Sequence, residues 1–324
     1  MYSGSLLSDA AILHQAAGWL DNQPEKYVLL ITVVETFGSS PAPAGSIMVC
    51  NVDNEFAGSV SGGCIEQDLL PKLQALDFRN TAHYYFDYGI DAGQAHSTGL
   101  TCGGNLRLLV ERLEVSAQIT PLLTAIQQRI PVQRRLCLNT GEVSLHSSDG
   151  TGLALFATGD SISRLYGPRW RLLLIGANHL AYCLAEIAHG LDFEVIITDP
   201  RPVLTPPPNA LPVTLLQSDP EDAVRLHVTD ARCAVIALSH NSNLDDAALA
   251  DALQSPAFYV GALGSKNSAR KRAQRLLALG VEQPKIDLMH APVGLAIGSH
   301  RPNEIAIAIA AELIAQRNRV HQTK

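Results

Sequence analysis

The sequence predicts an α/β protein with two domains: an N-terminal mixed α/β domain over residues 1–165, and a C-terminal doubly wound, Rossmann-like domain over residues 166–324. Three observations predict this fold class. The chain has 324 residues, which exceeds the usual size of one domain. Strand and helix patterns alternate strictly in the second half, as in a parallel sheet covered by helices. The turn-forming stretch TGDSISRLYGPRW, residues 158–170, separates the two patterns.

The first half combines strands and helices without strict alternation. Apolar or alternating runs predict strands at residues 27–36, 46–51, 105–113 and 134–139, and helical spacing predicts helices at 65–73 and 117–130. The loop FGSSPAPAGS lies between the first two strands, and its prolines and glycines exclude regular structure. In the third strand Arg107 alternates with leucines, which indicates a sheet with one side in water.

The second half reads as a series of strand–helix units. Short apolar runs predict parallel strands at residues 171–177, 194–200, 213–217, 233–239 and 257–263. Helices are predicted at 178–191, 219–228, 243–254 and 266–279, and a terminal helix opens at Pro302, where a proline costs no hydrogen bond. The terminal helix is apolar almost all round, which predicts burial on the sheet or at a subunit contact, and hence a homodimer.

Composition and charge argue against several classes of function. The formal net charge is −7 and long basic runs are absent, so neither a nucleic-acid partner nor an anionic membrane surface is expected. The sequence has no run of about 18 uninterrupted apolar residues and no apolar leader, so we expect a cytoplasmic protein. The six cysteines are scattered and form no CxxC pair, which favours reduced thiols over disulfides or a structural zinc site.

The first strand-to-helix turn of the second half has the position of a dinucleotide-binding loop. Gly176 begins the turn and Asn178 and His179 follow, where a diphosphate would lie on the helix N-terminus. Asp199 ends the next strand, where an acid accepts hydrogen bonds from a ribose diol, and Arg201 after it is either a phosphate contact or a solvated charge. Asn178 replaces the glycine that lets a diphosphate approach. The loop therefore predicts either NAD(P) binding, which Asn178 disfavours, or a Rossmann scaffold retained for its shape.

Two further loops follow strand ends in the same domain. His240 and Asn241 follow the fourth strand and Gly264, Ser265 and Lys266 follow the fifth, so we expect these residues to converge in the ligand crevice of the sheet. The second loop resembles an anion cradle, because a glycine and a serine precede a helix that begins with basic residues. The alternative is a solvated helix face formed by Lys266, Arg270, Lys271 and Arg272.

Two cysteines lie beside pairs of glycines. Cys64 follows Gly62 and Gly63 in GSVSGGCIEQDL. Cys102 precedes Gly103 and Gly104 in TGLTCGG. A helix is predicted to start directly after Cys64, which would lower the pKa of its thiol, and the glycines would leave backbone amides free to bind a ligand. The alternative is a pair of buried structural cysteines. The candidate residues of the two loops are Ser61, Gly62, Gly63, Cys64, Cys102, Gly103 and Gly104. The other four cysteines lie in strand or helix patterns, and we predict that they are buried in the core: Cys50, Cys137, Cys183 and Cys233.

These motifs together resemble the XdhC/CoxI family. They follow one another along nearly the whole chain: TVVETFGSSPAPAGSIMV, GSVSGGCIEQDL and GLTCGG, then LLLIGANHLA, ITDPRP, ALSHNSNLDDAAL, YVGALGSKNSARKR and MHAPVGLAIGSHRPNEIAIAIAAELIA. Their joint occurrence is far more specific than the glycine loop alone. One departure is Asn178, where family members usually have glycine.

The resemblance implies an accessory protein that is not itself an enzyme. Such a chaperone binds the molybdenum cofactor, protects or effects its sulfuration, and inserts it into the apo-form large subunit of a molybdoenzyme of the xanthine dehydrogenase and aldehyde oxidoreductase class. The short linker resembles the branch that handles the molybdopterin cytosine dinucleotide form. A cysteine desulfurase and a molybdopterin cytidylyltransferase are further implied partners. Cys64 and Cys102 would lie near molybdenum, which is thiophilic, or accept sulfur, and the Rossmann crevice would hold a nucleotide or phosphate end.

Two functions of other classes remain open from the residues. An NAD(P)-dependent oxidoreductase is supported by the strand, loop and helix at residues 171–190, and weakened by Asn178 and by the lack of an evident acid or base for hydride transfer. A thiol-dependent sulfurtransferase would use Cys64 or Cys102 and would form a persulfide on one of them.

Overall fold

The structure is a computed structural model that describes residues 8–37, 42–63, 65–78, 81, 83–88, 105–150, 153–202, 212–239 and 242–322. The chain divides into two compact units, Met1–Pro168 and Arg169–Lys324. Within the described ranges, no helix is both long and apolar enough to cross a membrane.

The first unit is built on a five-stranded antiparallel sheet of order β3-β2-β1-β5-β4. Its elements are α1 (Asp9–Asn22), β1 (Val28–Phe37), β2 (Ile47–Asn51), β3 (Phe56–Gly58), α2 (Glu66–Gln74), β4 (His83–Tyr88), β5 (Asn105–Leu113), a 3₁₀ turn (Ser116–Gln118) and α3 (Thr120–Gln127). Alternate residues of the central strand β1 face opposite sides of the sheet. Leu30 packs with α1 and α3 on one face, whereas Leu29 and Ile31 pack with α2 on the other.

A second, four-stranded antiparallel sheet of order β7-β6-β9-β8 completes this unit. Its strands are β6 (Val132–Cys137), β7 (Val143–Ser147), β8 (Leu155–Ala157) and β9 (Ser161–Tyr166). The two units divide after Pro168, within residues 158–170, but this stretch is not a run of turn formers, because Ser161–Tyr166 form the strand β9 and all six residues are buried. The guanidinium of Arg164 is bound through two of its nitrogens: Nη2 donates to Asp9 Oδ2 at 2.8 Å, and Nε donates to the carbonyl oxygen of Gly45 at 2.6 Å. These long-range contacts offset the cost of burying the charge of Arg164. In the sequence alone, the same charge indicates an exposed loop.

The second unit is a five-stranded, all-parallel sheet of order β12-β11-β10-β13-β14. Its elements are β10 (Trp170–Ile175), α4 (His179–Gly190), β11 (Phe193–Thr198), β12 (Val213–Leu216), α5 (Pro220–His227), β13 (Cys233–Ala237), α6 (Ser242–Gln254), β14 (Tyr259–Ala262), α7 (Lys266–Ala278), α8 (Gln283–Ile286) and α9 (Pro302–Gln322). The predicted order of strands and helices and the terminal helix at Pro302 are confirmed.

Helices cover both faces of the parallel sheet, which confirms the α/β fold class with a Rossmann-like second half. Leu172 and Leu174 of β10 pack with α4 and α9 on one face. Leu173 and Ile175 pack on the other face, in the core that α5, α6, α7 and α8 share. In α9, Ile309 and Leu313 are fully buried, whereas Ile307 is 54% exposed. The strand alternation therefore sorts the apolar residues between two cores and directs the loops after the strands to one edge of the sheet.

Candidate functional site

The loop after β10 is pressed against the end of β13. Gly176 adopts φ +104°, and a Cβ atom there would lie 2.9 Å from Ser239 Cα. Both the left-handed backbone and this approach exclude a side chain. Gly176 therefore keeps the ends of the two strands in direct contact.

Asn178 uses both ends of its side-chain amide within the fold. It is the N-cap of α4, where its Oδ1 accepts a hydrogen bond from Ala181 N at 3.0 Å. Its Nδ2 donates to the carbonyl oxygen of Leu238 at 2.8 Å. Asparagine is among the best N-cap residues, and glycine cannot make either bond. The residue that departs from the dinucleotide pattern thus ties the start of α4 to the end of β13.

Asp199 follows β11, and its carboxylate accepts four hydrogen bonds within the fold. Its carboxylate is 4% exposed, and Oδ2 accepts from Ala177 N at 2.9 Å and from Arg201 Nη2 at 2.8 Å. Oδ1 accepts from Arg201 N at 3.0 Å and from Arg201 Nε at 2.9 Å. The hydrogen bonds from the Arg201 side chain hold the pKa of Asp199 below its usual range. A carboxylate has about four lone-pair sites, so a ribose diol would have to displace Arg201.

A cavity of about 300 Å³ lies at the carboxyl ends of these strands. Its apolar wall includes Ile175, Pro200, Pro220 and Leu244. Arg201 also lines the cavity, and its side chain is 74% exposed, so its guanidinium remains accessible although it is bound to Asp199. Such a space suits a planar ring, and the cation suits an anionic group attached to that ring.

The start of α7 carries the residues of the predicted anion cradle. Ser265 is the N-cap, and its Oγ accepts from Ser268 N at 3.1 Å. Gly264 precedes it with φ +152°, and Lys266 is exposed. The serine side chain therefore occupies one of the helix amides that an anion would otherwise bind. The predicted partners from the neighbouring loop, His240 and Asn241, lie outside the described residues.

The interpretation of a solvated basic face on α7 is wrong for Arg272. This residue is 7% exposed and donates to Asp246 Oδ1 at 2.8 Å and to Asp245 Oδ2 at 3.2 Å. Asp245 in turn accepts from Ser239 Oγ at 2.6 Å. Arg270 is exposed, as that interpretation requires. The buried ion cluster joins α6 to α7 and holds Ser239 at the strand end beside the cavity.

His179 and the cysteines outside the glycine motifs are placed as follows. His179 is exposed, and its Nε2 lies 3.8 Å from Cys183 Sγ. The prediction of core cysteines is confirmed for Cys50 and Cys233 and wrong for Cys137 and Cys183, which are half-buried. Burial raises the pKa of Cys50 to about 12, which makes that thiol unreactive near neutral pH.

In the first unit, the loop that leads into α2 closes around a buried carboxylate. Glu66 is fully buried, and its Oε1 accepts from Ser59 Oγ at 2.5 Å, Val60 N at 3.1 Å and Ser61 N at 3.1 Å. Its Oε2 accepts from Ser61 Oγ at 2.7 Å and Ile65 N at 3.1 Å. Burial acts to raise the pKa of Glu66, but the bonds from the two serines outweigh it and hold the pKa below its usual range.

Four amides of this loop are bound within the fold, whereas the glycines led us to expect free amides. Glu66 binds three of them, and Gly62 N donates to Ser59 Oγ at 2.8 Å. Gly62 and Gly63 both adopt left-handed φ values, +78° and +99°. The candidates Cys64, Cys102, Gly103 and Gly104 lie outside the described residues. Among the described residues, no group of three His, Cys, Asp or Glu side chains could hold a metal ion.

Sequence reasoning missed Glu66 and a second carboxylate, Glu312 on α9. Glu312 Oε2 accepts from Tyr259 OH at 2.6 Å and from Gly294 N at 2.7 Å, and its Oε1 lies 2.9 Å from His290 Nδ1. This cluster fixes the chain after α8 to the edge strand β14. For Glu312 the available signal was an acid inside an apolar helix pattern, which is unusual unless hydrogen bonds compensate it. Glu66 gave no such signal, because it begins α2 and polar residues follow it.

The fold and these loops define a class of two-part protein, in which an antiparallel α/β unit with a glycine-rich loop precedes a Rossmann unit with a cavity at its strand ends. The model for the XdhC and CoxI family matches residues 10–84, and the model for the XdhC Rossmann domain matches residues 172–313. The chain belongs to the XdhC/CoxI family, as its motifs predict.

Relatives of known name match over almost the whole chain. The molybdenum cofactor insertion chaperone PaoD of Escherichia coli is 27% identical over 92% of this chain and 85% of its own length. A protein of Bacillus subtilis, named as a probable xanthine dehydrogenase subunit, is 27% identical over 93% of this chain and 96% of its own. A crystal structure from Bacillus halodurans, titled as a xanthine dehydrogenase, superposes with a TM-score of 0.76 at 24% identity, over 98% of this chain and 97% of that one. This last likeness concerns the fold.

Proposed function

We propose that this protein binds the molybdenum cofactor and inserts it into an apo-molybdoenzyme of the xanthine dehydrogenase and aldehyde oxidoreductase class. The observation that carries the proposal is the match, over both units, to a protein named as a molybdenum cofactor insertion chaperone. The protein acts in the cytoplasm as a stoichiometric carrier, without turnover of its own, and as a homodimer. Its cargo is molybdopterin or the cytosine dinucleotide form.

The cavity of the second unit supports a role in holding the nucleotide or phosphate end of this cargo. Its apolar wall suits a planar base, and Arg201 at the rim offers a guanidinium to an anion. Gly176 and Asp199 line this cavity, and Asn178 and His179 begin the helix that follows its glycine turn. We assign Gly264, Ser265 and Lys266 to the same cargo because they follow a neighbouring strand of the sheet, and His240 because it follows β13 in the sequence.

The glycine loops of the first unit hold the reactive end of the cargo. Cys64 and Cys102 contact molybdenum or accept sulfur, with the neighbouring glycines allowing close approach. A cysteine desulfurase then supplies sulfur, and a molybdopterin cytidylyltransferase supplies the dinucleotide form. In this scheme the large subunit of the apo-enzyme receives the sulfurated cofactor.

The test is a titration of cofactor-loaded protein into purified apo-enzyme. Enzyme activity should rise linearly with added carrier and stop at equivalence, because each carrier delivers one cofactor. Pterin content of the carrier before and after transfer gives an independent measure. Continued activation by substoichiometric carrier, without added cofactor or sulfur donor, would contradict delivery.

A second candidate, an NAD(P)-dependent oxidoreductase, is favoured by one feature, the glycine turn and strand-end acid in the positions of a dinucleotide fold. The saturation of Asp199 by Ala177 N and Arg201 weighs against it. We expect NADH to bind weakly or not at all in calorimetry. Micromolar affinity in the unmodified protein would restore the oxidoreductase interpretation.

A further inference from the structure

The loop that precedes α2 folds around the carboxylate of Glu66, and a buried carboxylate is unusual in such a place. It is fully buried, and each of its partners among the described residues is neutral: two serine hydroxyls and three backbone amides. An ion removed from water is costly unless hydrogen bonds compensate it. Five donors around one carboxylate provide that compensation, and all of them come from the seven residues that precede Glu66.

The donors reach the carboxylate from both sides of the glycine pair. Ser59, Val60 and Ser61 contact it from before Gly62, and Ile65 contacts it from after position 64. Ser61 Oγ also accepts from Ile65 N at 3.1 Å, which closes the loop across the glycines. The backbone is thus fixed at both ends of a short segment that contains Cys64.

We propose that Glu66 is the positioning residue of this loop: its carboxylate holds Ser59, Val60 and Ser61 against Ile65, so that the two sides of the glycine pair keep one arrangement when the loop meets its cargo. The inference deepens the proposed function and rests on it only in taking Cys64 as the group that meets the cargo. The carboxylate acts through the loop and does not itself contact the cargo.

A consequence concerns the chemistry that the loop recognises. Because the amides of Val60, Ser61 and Ile65 already bind Glu66, they are not offered to phosphate or another hard anion. A buried negative charge next to the loop also repels such an anion. These three amides therefore take no part in anion recognition, and a thiol, the group that the proposed function assigns to this loop, suits a soft centre such as molybdenum or an electrophilic sulfur.

The test compares Glu66→Gln with a matched control in the full-length protein. Glutamine keeps the size of the side chain but turns an NH₂ group toward donors, so the loop should open. Two readouts are measured: amide hydrogen exchange of residues 59–65, and the pH profile of alkylation of Cys64 by iodoacetamide, resolved by peptide mass spectrometry. We expect exchange in the loop to accelerate at least about tenfold, as the loss of more than one hydrogen bond implies, and the alkylation profile to shift.

The control is Glu111→Gln, which removes another buried carboxylate from the same unit. Glu111 lies on β5 and pairs with Arg134 at 2.7 Å, so its loss should lower stability without changing either loop readout. If Glu66→Gln does not fold, Ser59→Ala and Ser61→Ala remove single donors and should produce smaller changes of the same kind.

The outcomes separate the inference from the proposed function. Loop exchange and Cys64 alkylation within about twofold of the native protein in the Glu66→Gln and serine variants would overturn the positioning role. Altered loop readouts with full activation of the client enzyme would support the positioning role and contradict delivery through Cys64.

Discussion

Glu66 in the first unit and Asp199 in the second are both buried carboxylates that bind the amides of a nearby loop, but they are neutralised differently. Glu66 is surrounded by hydroxyls and amides, whereas Asp199 shares its four bonds between Ala177 N and the backbone and side chain of Arg201. The Arg201 side chain is 74% exposed, so one partner of the second carboxylate can leave for solvent or for an anion. No partner of Glu66 outside its own loop is available among the described residues.

The comparison teaches that a buried carboxylate can have either of two roles. It can fix the conformation of a loop, or it can hold an arginine that is able to exchange its carboxylate partner for a ligand. Neutral donors from one short segment fix that segment, because releasing the carboxylate would break five hydrogen bonds at once. An exposed arginine contributes little to stability but can exchange partners at low cost. We therefore assign rigidity to the loop of residues 59–65 and ligand responsiveness to the rim of the strand-end cavity.

The largest effect is expected from Glu66→Ala. The substitution removes all five hydrogen bonds to the carboxylate and leaves Ser61 N and Ile65 N with only their bonds to the hydroxyls of Ser59 and Ser61. The free energy of unfolding of the first unit should therefore fall by about 3 kcal/mol. Trp19 and Trp170 lie in different units, so urea unfolding followed by Trp19 fluorescence in a Trp170→Phe background isolates the first unit. The exposed Glu142→Ala is the control. Equal losses in the two variants would refute the anchoring role of Glu66.

A smaller loss is expected from Asp199→Ala, monitored through Trp170 in a Trp19→Phe background. The carboxylate is buried, but its removal takes the acceptor from only two backbone amides, Ala177 N and Arg201 N, and the exposed side chain of Arg201 can turn to water. The free energy of unfolding of the second unit should fall by about 1–2 kcal/mol. A loss larger than that of Glu66→Ala would invert the comparison.

Asn178→Ala should cost about 1 kcal/mol in the second unit, because it removes the N-cap of α4 and the bond to the carbonyl of Leu238. Asn178→Gly should lower the free energy of unfolding by nearly as much, because glycine suits the backbone conformation of an N-cap but makes neither side-chain hydrogen bond. Urea unfolding through Trp170 measures both. An unchanged midpoint in both variants would mean that the asparagine does not tie the loop to β13.

The smallest effect on stability is expected from Arg201→Ala, below about 1 kcal/mol, because exposed ion pairs are weak and screened by salt. Its effect on cargo should be larger, since the rim loses its cation. Calorimetry with a nucleoside monophosphate as the probe should show weaker binding than in the native protein, whereas Arg301→Ala, an exposed arginine elsewhere in this unit, should bind normally. Equal binding by all three proteins would remove Arg201 from the site.

Acid should weaken both anchors. The folded-state pKa values of Glu66 and Asp199 lie below their usual ranges, so their contributions to stability are present above the unfolded values, about 4.3 and 3.9, and are lost as the pH falls through the folded values. Below pH 5 the native protein should lose stability more steeply than Glu66→Gln in the Trp19 transition. Parallel pH profiles would show that Glu66 is not the responsible group.

The sequence predicted the second unit better than the first. Most strands of the parallel sheet are buried apolar runs, and such runs are visible without knowledge of partners. The exception is β12 at the edge of the sheet, which is partly exposed. The strand β9 was missed because its serines and Arg164 are buried only by virtue of contacts with Asp9 and Gly45, far away along the chain. Patterns of local polarity carry no information about such contacts.

The same reason explains which site residues were predicted and which were missed. Gly176 and Asp199 were found because strand ends and turns locate them. Glu66 was missed because its importance lies in five hydrogen bonds that form only when the preceding loop folds back. Arg272 was assigned to a wet helix face because its partners, Asp245 and Asp246, belong to another helix.

The position of α9 has a consequence for biosynthesis. This helix follows all five strands of the parallel sheet along the chain, yet Ile309 and Leu313 complete the core that begins with Leu172 of the first strand in the second unit. During translation, that face of the sheet is covered, among the described helices, by α4 alone until residues 302–322 have been made, whereas the antiparallel sheets of the first unit already have their strands. A nascent chain released before Pro302 would expose this apolar face, and cellular quality control should recognise it as incomplete.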